Sequence, residues 1–82
     1  MNKYVIMYNE IGHKGELLYD YETIKGKNPK DALKKHFGVD FKRLTGEDGR
    51  YAEIILMKGF YDHLTNNIVY SGRAAQLCYS RV

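Results

Sequence analysis

The sequence predicts a small α+β protein, built as a two-layer sandwich with one helix packed on one face of an antiparallel sheet. Three observations support this prediction. Segments rich in β-branched and aromatic residues flank the middle of the chain, and such segments favour strands. One central segment carries helix-capping residues at both ends. The length of 82 residues suits one domain, predicted to span residues 1–82 in the order strand, strand, helix, strand, strand.

The first two strands are predicted to form an antiparallel pair. Residues 3–9, KYVIMYN, are apolar at both alternating positions, as in a strand covered on both faces,. Residues 10–15 contain two glycines and predict a loop,. Residues 17–23 alternate between apolar and polar side chains, which predicts a second strand with one face in solvent. Because the loop is short, the two strands should pair with each other.

The helix is predicted at residues 29–37. Asn28 can cap it by accepting a bond from an unpaired backbone N–H, and Pro29 suits the first helical position. Gly38 can adopt the left-handed conformation that ends a helix. Four residues at three- and four-residue spacings are predicted to face the sheet: Ala32, Leu33, His36 and Phe37.

The strongest strand signal in the second half is YAEIILMKGFY at residues 51–61,. Gly59 predicts a bulge within this strand. Residues 62–67 predict a hairpin loop, in which Asp62 can accept bonds from backbone N–H groups and an asparagine can adopt a positive φ. The chain is then expected to return as a strand at residues 68–71.

Two further segments are less regular. Residues 39–49 are polar and predict a connection with a tight turn at its end and a short extended piece at Phe41,. The C-terminal residues 71–82 allow two interpretations. Ala74, Leu77 and Cys78 have helical spacing, whereas Leu77 and Tyr79 belong to an alternating pattern that favours a strand. We favour the strand.

Positive charge is concentrated in residues 25–43, where seven basic and two acidic residues give a balance of +5 within a chain of net charge +3. Lysine-rich helices can follow a phosphate backbone by charge alone, with little sequence selectivity. A solvated face that keeps a small protein soluble has the same composition. The candidate nucleic-acid-binding residues are Lys25, Lys27, Lys30, Lys34, Lys35, Lys42 and Arg43.

No motif in the sequence predicts catalysis, a metal site or a cofactor. The three histidines and the single cysteine lack the close paired spacing of zinc ligands,. Cys78 lies in an apolar segment, where a small buried side chain is more common than a nucleophile. We therefore expect a non-catalytic protein without a cofactor.

The sequence also predicts a soluble, cytoplasmic protein without a membrane segment. One cysteine cannot form an intrachain disulfide, which fits a reducing compartment,. The apolar run at residues 4–8 is too short for the hydrophobic part of a signal peptide, and no later run reaches membrane-spanning length.

Two functional hypotheses follow, with a small enzyme or ligand binder as a third. The first is a protein-interaction or self-association module, with a homodimer as the simplest assembly, because the apolar residues 54–57 and the sheet edges need cover. The second is a nucleic-acid-binding accessory protein that uses the basic segment. Eight tyrosines could stack with bases in such a protein, although tyrosine is also common in half-buried strands,.

Overall fold

A computed structural model describes residues 1–11, 17–73 and 75–82, with the side chains of 8–11 and 17–20 excepted. The predicted loop at 10–15 begins within the first strand, and the rest of it lies outside the described residues. The described elements are six strands, one α-helix and one 3₁₀ helix. In chain order they are β1 Asn2–Ile11, β2 Leu17–Gly26, α1 Pro29–Phe37, β3 Phe41–Leu44, the 3₁₀ helix Gly46–Tyr51, β4 Ile54–Asp62, β5 Asn67–Tyr70 and β6 Leu77–Arg81.

The strands form a curled antiparallel sheet in the order β2-β1-β4-β6-β3,. Strand β4 is shared, because its first half pairs with β1 and β6 and its second half, Gly59–Asp62, pairs with β5. The α+β class, the antiparallel sheet and the single α-helix are confirmed. The curled sheet does not confirm the predicted two-layer sandwich.

Helix α1 begins and ends where the sequence predicts. The Asn28 side chain accepts a hydrogen bond from the Asp31 backbone N–H at 2.8 Å, which satisfies one of the unpaired donors of the first turn. At the other end, Gly38 has φ of 76° and donates its N–H to the Lys34 carbonyl at 2.7 Å. The local sequence therefore specifies both ends of the helix through contacts between near neighbours in the chain.

Two of the four predicted inward residues form the helix's contact with the sheet. Ala32 and Leu33 are fully buried. They join a core contributed by the strands: Tyr4, Ile6, Ile24, Phe41, Ile54, Leu56 and Tyr79. The prediction is wrong for His36 and Phe37. Phe37 stays 38% exposed with its ring 5.3 Å from that of Phe41, and the exposed His36 contacts Glu22.

Gly26 allows the N-terminal part of α1 to approach the end of β2 closely. A Cβ atom at this position would lie between 2.5 and 2.7 Å from the backbone N, Cα and Cβ atoms of Ala32. Such distances are far below van der Waals contact, so only glycine permits this approach. As a result, the N-terminal part of α1 lies against the end of β2, while Phe37 in the last turn contacts Phe41 of β3 at the edge of the core. This geometry leaves Phe37 at the rim.

The second face of the sheet is covered by the hairpin of β4 and β5. Val5 and Met57 pair across β1 and β4 and alternate with residues that face the helix, so they point away from it,. Both are buried, because β4 turns at Gly59, where φ is 148°. Beyond this turn the Tyr61 backbone N–H donates to the Thr23 hydroxyl oxygen at 3.0 Å, which ties the hairpin to β2.

Most remaining strand predictions are confirmed with shifted boundaries. The short extended piece at Phe41 is β3, and the favoured C-terminal strand is β6. Strand β4 starts three residues later than predicted because residues 51–53 are occupied by the end of the 3₁₀ helix and a bend. In the hairpin loop, Asp62 accepts a bond from the Leu64 N–H at 2.9 Å and Asn66 adopts a φ of 56°, as expected from their side-chain chemistry.

The predicted solvent face of β2, which is limited to residues 17–23, does not extend to the C-terminal end of the strand. Glu22 belongs to the face predicted to be wet, but the next residue on that face, Ile24, is buried beneath the helix. The strand continues three residues past its predicted end, to Gly26. Helix docking therefore decides which side of β2 is covered, and the alternation of residues 17–23 could not reveal this.

We predict that Leu33→Ala destabilises the protein by about 2–5 kcal/mol, because it leaves a cavity in the centre of the core. Phe37→Ala should cost less, about 1–2 kcal/mol, since the ring is already partly in solvent. Urea unfolding followed by far-ultraviolet circular dichroism measures both values. Equal losses for the two variants would contradict the described position of α1.

Candidate binding surface

The seven basic residues predicted to bind nucleic acid lie on three parts of the fold. Lys25 and Lys27 are at the end of β2 and just beyond it, three lysines lie on α1, and Lys42 and Arg43 lie on β3. All seven side chains are exposed. Because β2 and β3 are at opposite ends of the strand order, the basic segment is divided between the two sheet edges and the helix.

Acidic residues within the same segment partly neutralise the helix lysines. Lys34 pairs with Asp40 at 3.1 Å and Lys35 with Asp31 at 3.2 Å. Asp31 also accepts a 2.8 Å bond from the Lys27 backbone N–H. This backbone bond, followed by the bond from Lys35, holds the pKa of the Asp31 carboxyl below its ordinary value of 3.8,. The ion pairs leave the balance of +5 unchanged, but they hold two of the three helix lysines against carboxylates, so fewer ammonium groups are free to contact a phosphate.

Arg43 has a local role on the helix side of the sheet. It pairs with Tyr79 across β3 and β6. Burial raises the pKa of the Tyr79 hydroxyl, and the nearby Arg43 charge opposes that shift,. Lys42 lies at the neighbouring position and therefore on the opposite face. The two basic residues of β3 thus point to different sides of one short edge strand.

A cluster of tyrosines lies on the face turned away from the helix. Tyr21 of β2 and Tyr61 of β4 are stacked with ring centroids 5.4 Å apart and an interplanar angle of 6°. The Tyr61 hydroxyl donates to the Asn66 side-chain oxygen at 3.2 Å. His63 packs edge-on against the same ring, with centroids 4.9 Å apart. The hairpin contact therefore fixes the Tyr61 ring on several sides.

These rings line a pocket of about 280 Å³ that opens to solvent. We call it the tyrosine pocket, and its lining residues are Tyr21, Tyr61, Asn66, Asn67, Ile68 and Tyr70. The volume is close to the lower end of the range of about 300–1,000 Å³ typical of small-molecule sites. The pocket thus combines aromatic faces with two side-chain amides, which is an arrangement suited to a planar polar group.

Two lysines lie near the tyrosine pocket on the same face. Lys25 follows Tyr21 and Thr23 at alternating positions of β2 and pairs directly with Lys3 of β1,. The Lys3 ammonium lies 5.5 Å from the centroid of the Phe60 ring,. Both lysines are exposed, and within the described part of the chain neither forms an ion pair. Of the seven predicted residues, Lys25 is the one that shares a strand face with Tyr21, and it also lines a second pocket, between α1 and β2.

Sequence reasoning identifies part of this surface. Tyr21, Tyr61 and Tyr70 are among the tyrosines that the sequence offers for stacking, and the fold brings these three together. Tyr51 lies elsewhere, 76% exposed and near Arg50. Lys3 is not predicted, because it lies outside the basic segment. Only the pairing of β1 with β2, which places it opposite Lys25, could have revealed it.

A second pocket, of about 320 Å³, lies between α1 and β2. Two of its charged side chains already have partners, since Lys35 pairs with Asp31 and His36 lies 3.1 Å from Glu22. Lys25, the third charged lining residue, forms no ion pair in the described part of the chain. The tyrosine pocket, which is lined by three aromatic rings, is the stronger candidate for stacking a planar ligand.

In residues 1–11, 17–73 and 75–82, no group of three or more histidine, cysteine or acidic residues could hold a metal ion. Cys78 is a free, half-buried thiol. In the same ranges, no helix combines the length and apolar character needed to cross a membrane.

Comparison of the chain with protein-family models, with curated proteins and with solved structures found no match.

The lowered pKa of Asp31 predicts a stability contribution that depends on pH. Because the carboxyl binds its proton less readily in the folded state, its contribution is fully present above the unfolded pKa of about 3.8,. It should disappear as the pH falls below that value. We expect Asp31→Asn to lower the urea midpoint at pH 7, and the difference from wild type to shrink below about pH 4. A difference that is independent of pH would contradict this assignment.

Proposed function

We propose that this chain is a non-catalytic, cytoplasmic protein-interaction module that self-associates through the β4–β5 hairpin, most simply as a homodimer. The observation that carries the proposal is the exposure of apolar side chains on this hairpin. Phe60 and Val69 face each other across the two strands, yet they remain 37% and 41% exposed. Leu64, at the turn, is 95% exposed.

Covering these side chains would stabilise an assembly. Burying apolar surface contributes about 25 cal/mol per Å², and aromatic residues supply much of the binding energy in protein interfaces. The hairpin is also an extended ribbon of only two strands beyond Gly59. Such a ribbon is marginally stable alone, so contact with a second surface would reinforce it.

The edge strands suggest which part of the surface makes this contact. At one end of the sheet, β3 has only four residues and presents Lys42 and Arg43. Short length and basic side chains oppose pairing with a strand of another molecule. This supports association through hairpin side chains in preference to extension of the sheet at β3.

Nucleic-acid binding by the basic segment is the second candidate function. It is supported by the five basic residues of the segment for which the described part of the chain shows no ion pair: Lys25, Lys27, Lys30, Lys42 and Arg43. Self-association would double the number of these charges in one assembly, so the two functions are compatible.

We predict that sedimentation equilibrium will show the apparent mass rising from 9.6 kDa towards twice that value as the protein concentration increases from micromolar to millimolar. The double variant Phe60→Thr/Val69→Thr should remain a monomer, because threonine keeps strand propensity and removes apolar surface.

The matched control is Tyr51→Thr, which removes an exposed aromatic side chain from the 3₁₀ helix, away from the hairpin. This variant should associate like the wild type. A wild-type protein that stays monomeric at millimolar concentration would refute self-association, and equal effects of the two substitutions would refute the hairpin as its site.

A further inference from the structure

We propose that the tyrosine pocket and the adjacent pair Lys3 and Lys25 together form a binding site for single-stranded nucleic acid. In this site a base stacks within the tyrosine pocket and the backbone phosphates contact the two lysines. This proposal does not depend on self-association. Of the basic segment it uses Lys25 alone, which also lines the pocket between α1 and β2 together with Lys35.

The arrangement of charge points to an anionic ligand. Lys3 and Lys25 are directly opposed across β1 and β2, and like charges at directly opposed positions repel each other. No acidic side chain in the described part of the chain pairs with either lysine. A phosphate bound between them would relieve this repulsion and would meet two ammonium groups at once.

The arrangement of rings points to a planar ligand beside that anion. The Tyr21 ring is held nearly parallel to that of Tyr61, and both it and Tyr70 remain partly exposed at the pocket. Any base can stack on such a ring because every base has a π-face. Asn66 and Asn67 also line the pocket. The Asn66 oxygen accepts the Tyr61 hydroxyl bond, which leaves its NH₂ group and the Asn67 amide to bond the edge of a base.

The distance between the tyrosine pocket and the lysine pair suits a short, flexible single strand of nucleic acid. Tyr21 and Lys25 are four residues apart on one face of β2, which corresponds to roughly 13 Å. A single-stranded nucleic acid can place one base in the tyrosine pocket and its phosphates along β2 towards Lys25. Paired bases in a duplex keep their faces stacked on one another, so they could not enter the pocket without unpairing.

The test is fluorescence anisotropy with labelled, mixed-sequence DNA and RNA single strands of about 12 nucleotides, with duplexes of equal length as competitors. We expect single strands to bind more tightly than duplexes. Tyr21→Leu should raise the Kd about 5- to 150-fold because the base no longer stacks on a ring. Lys3→Gln/Lys25→Gln should weaken binding and flatten the plot of log K against log salt by about 0.7 for each phosphate that is no longer neutralised.

Two control variants separate this site from other surfaces. Tyr51→Leu removes an exposed tyrosine elsewhere, and Arg50→Gln removes a basic residue of the 3₁₀ helix, so both should bind nearly as the wild type does. Lys30→Gln tests the helix lysines of the second candidate function separately. If Tyr21→Leu fails to fold, the wild-type protein still provides a test. Adding the oligonucleotide should shift the ring-proton resonances of Tyr21 and Tyr61 in an NMR spectrum.

Three results would overturn the proposal. The first is no binding at low salt. The second is equal affinity for duplex and single strand, with Lys30→Gln weakening binding and Tyr21→Leu having no effect, which would assign binding to the helix lysines. The third is tighter binding of an acidic, tyrosine-containing peptide than of the oligonucleotide, which would identify the pocket as a protein-binding site.

Discussion

Strand β4 is shared among three other strands, and both the core and the exposed hairpin are built on it. Its first half lies between β1 and β6 and supplies Ile54 and Leu56 to the core beneath the helix. Its second half leaves that sheet and pairs with β5. The change of partner occurs at Gly59, where a Cβ atom would collide with the Val69 carbonyl oxygen. A residue with a side chain could not make this turn without displacing β5.

The turn at Gly59 has a functional consequence, because it brings the two halves of the candidate surface together. Without it, Tyr61 would continue along the plane of the sheet and would not reach Tyr21 on β2. With it, the hairpin buries Val5 and Met57 on the second face and presents Phe60 and Val69 outward. One backbone feature thereby produces both the tyrosine pocket and the exposed apolar ribbon.

The comparison of sequence and structure shows where local information is sufficient. The bounds of helix α1 follow from the sequence to the residue because Asn28, Pro29 and Gly38 act through their own backbone neighbours. The prediction for His36 and Phe37 is wrong because their burial depends on how α1 docks on the sheet, which the spacing of residues within the helix does not determine. The approach of Lys3 to Lys25 also depends on strand register. The sequence therefore indicates the residue types of the site, which are tyrosine and lysine. Which of these residues form the site depends on the pairing of segments that are distant in sequence.

The central claim is that Gly59 folds the hairpin across β2 and stacks Tyr61 on Tyr21. The most direct measurement is a nuclear Overhauser spectrum of the wild-type protein and of Gly59→Ala. We expect cross-peaks between the two tyrosine rings in the wild type, and their disappearance in the variant while cross-peaks between the core residues Leu33 and Ile6 persist. Wild-type rings without cross-peaks, or cross-peaks that survive the substitution unchanged, would contradict this claim.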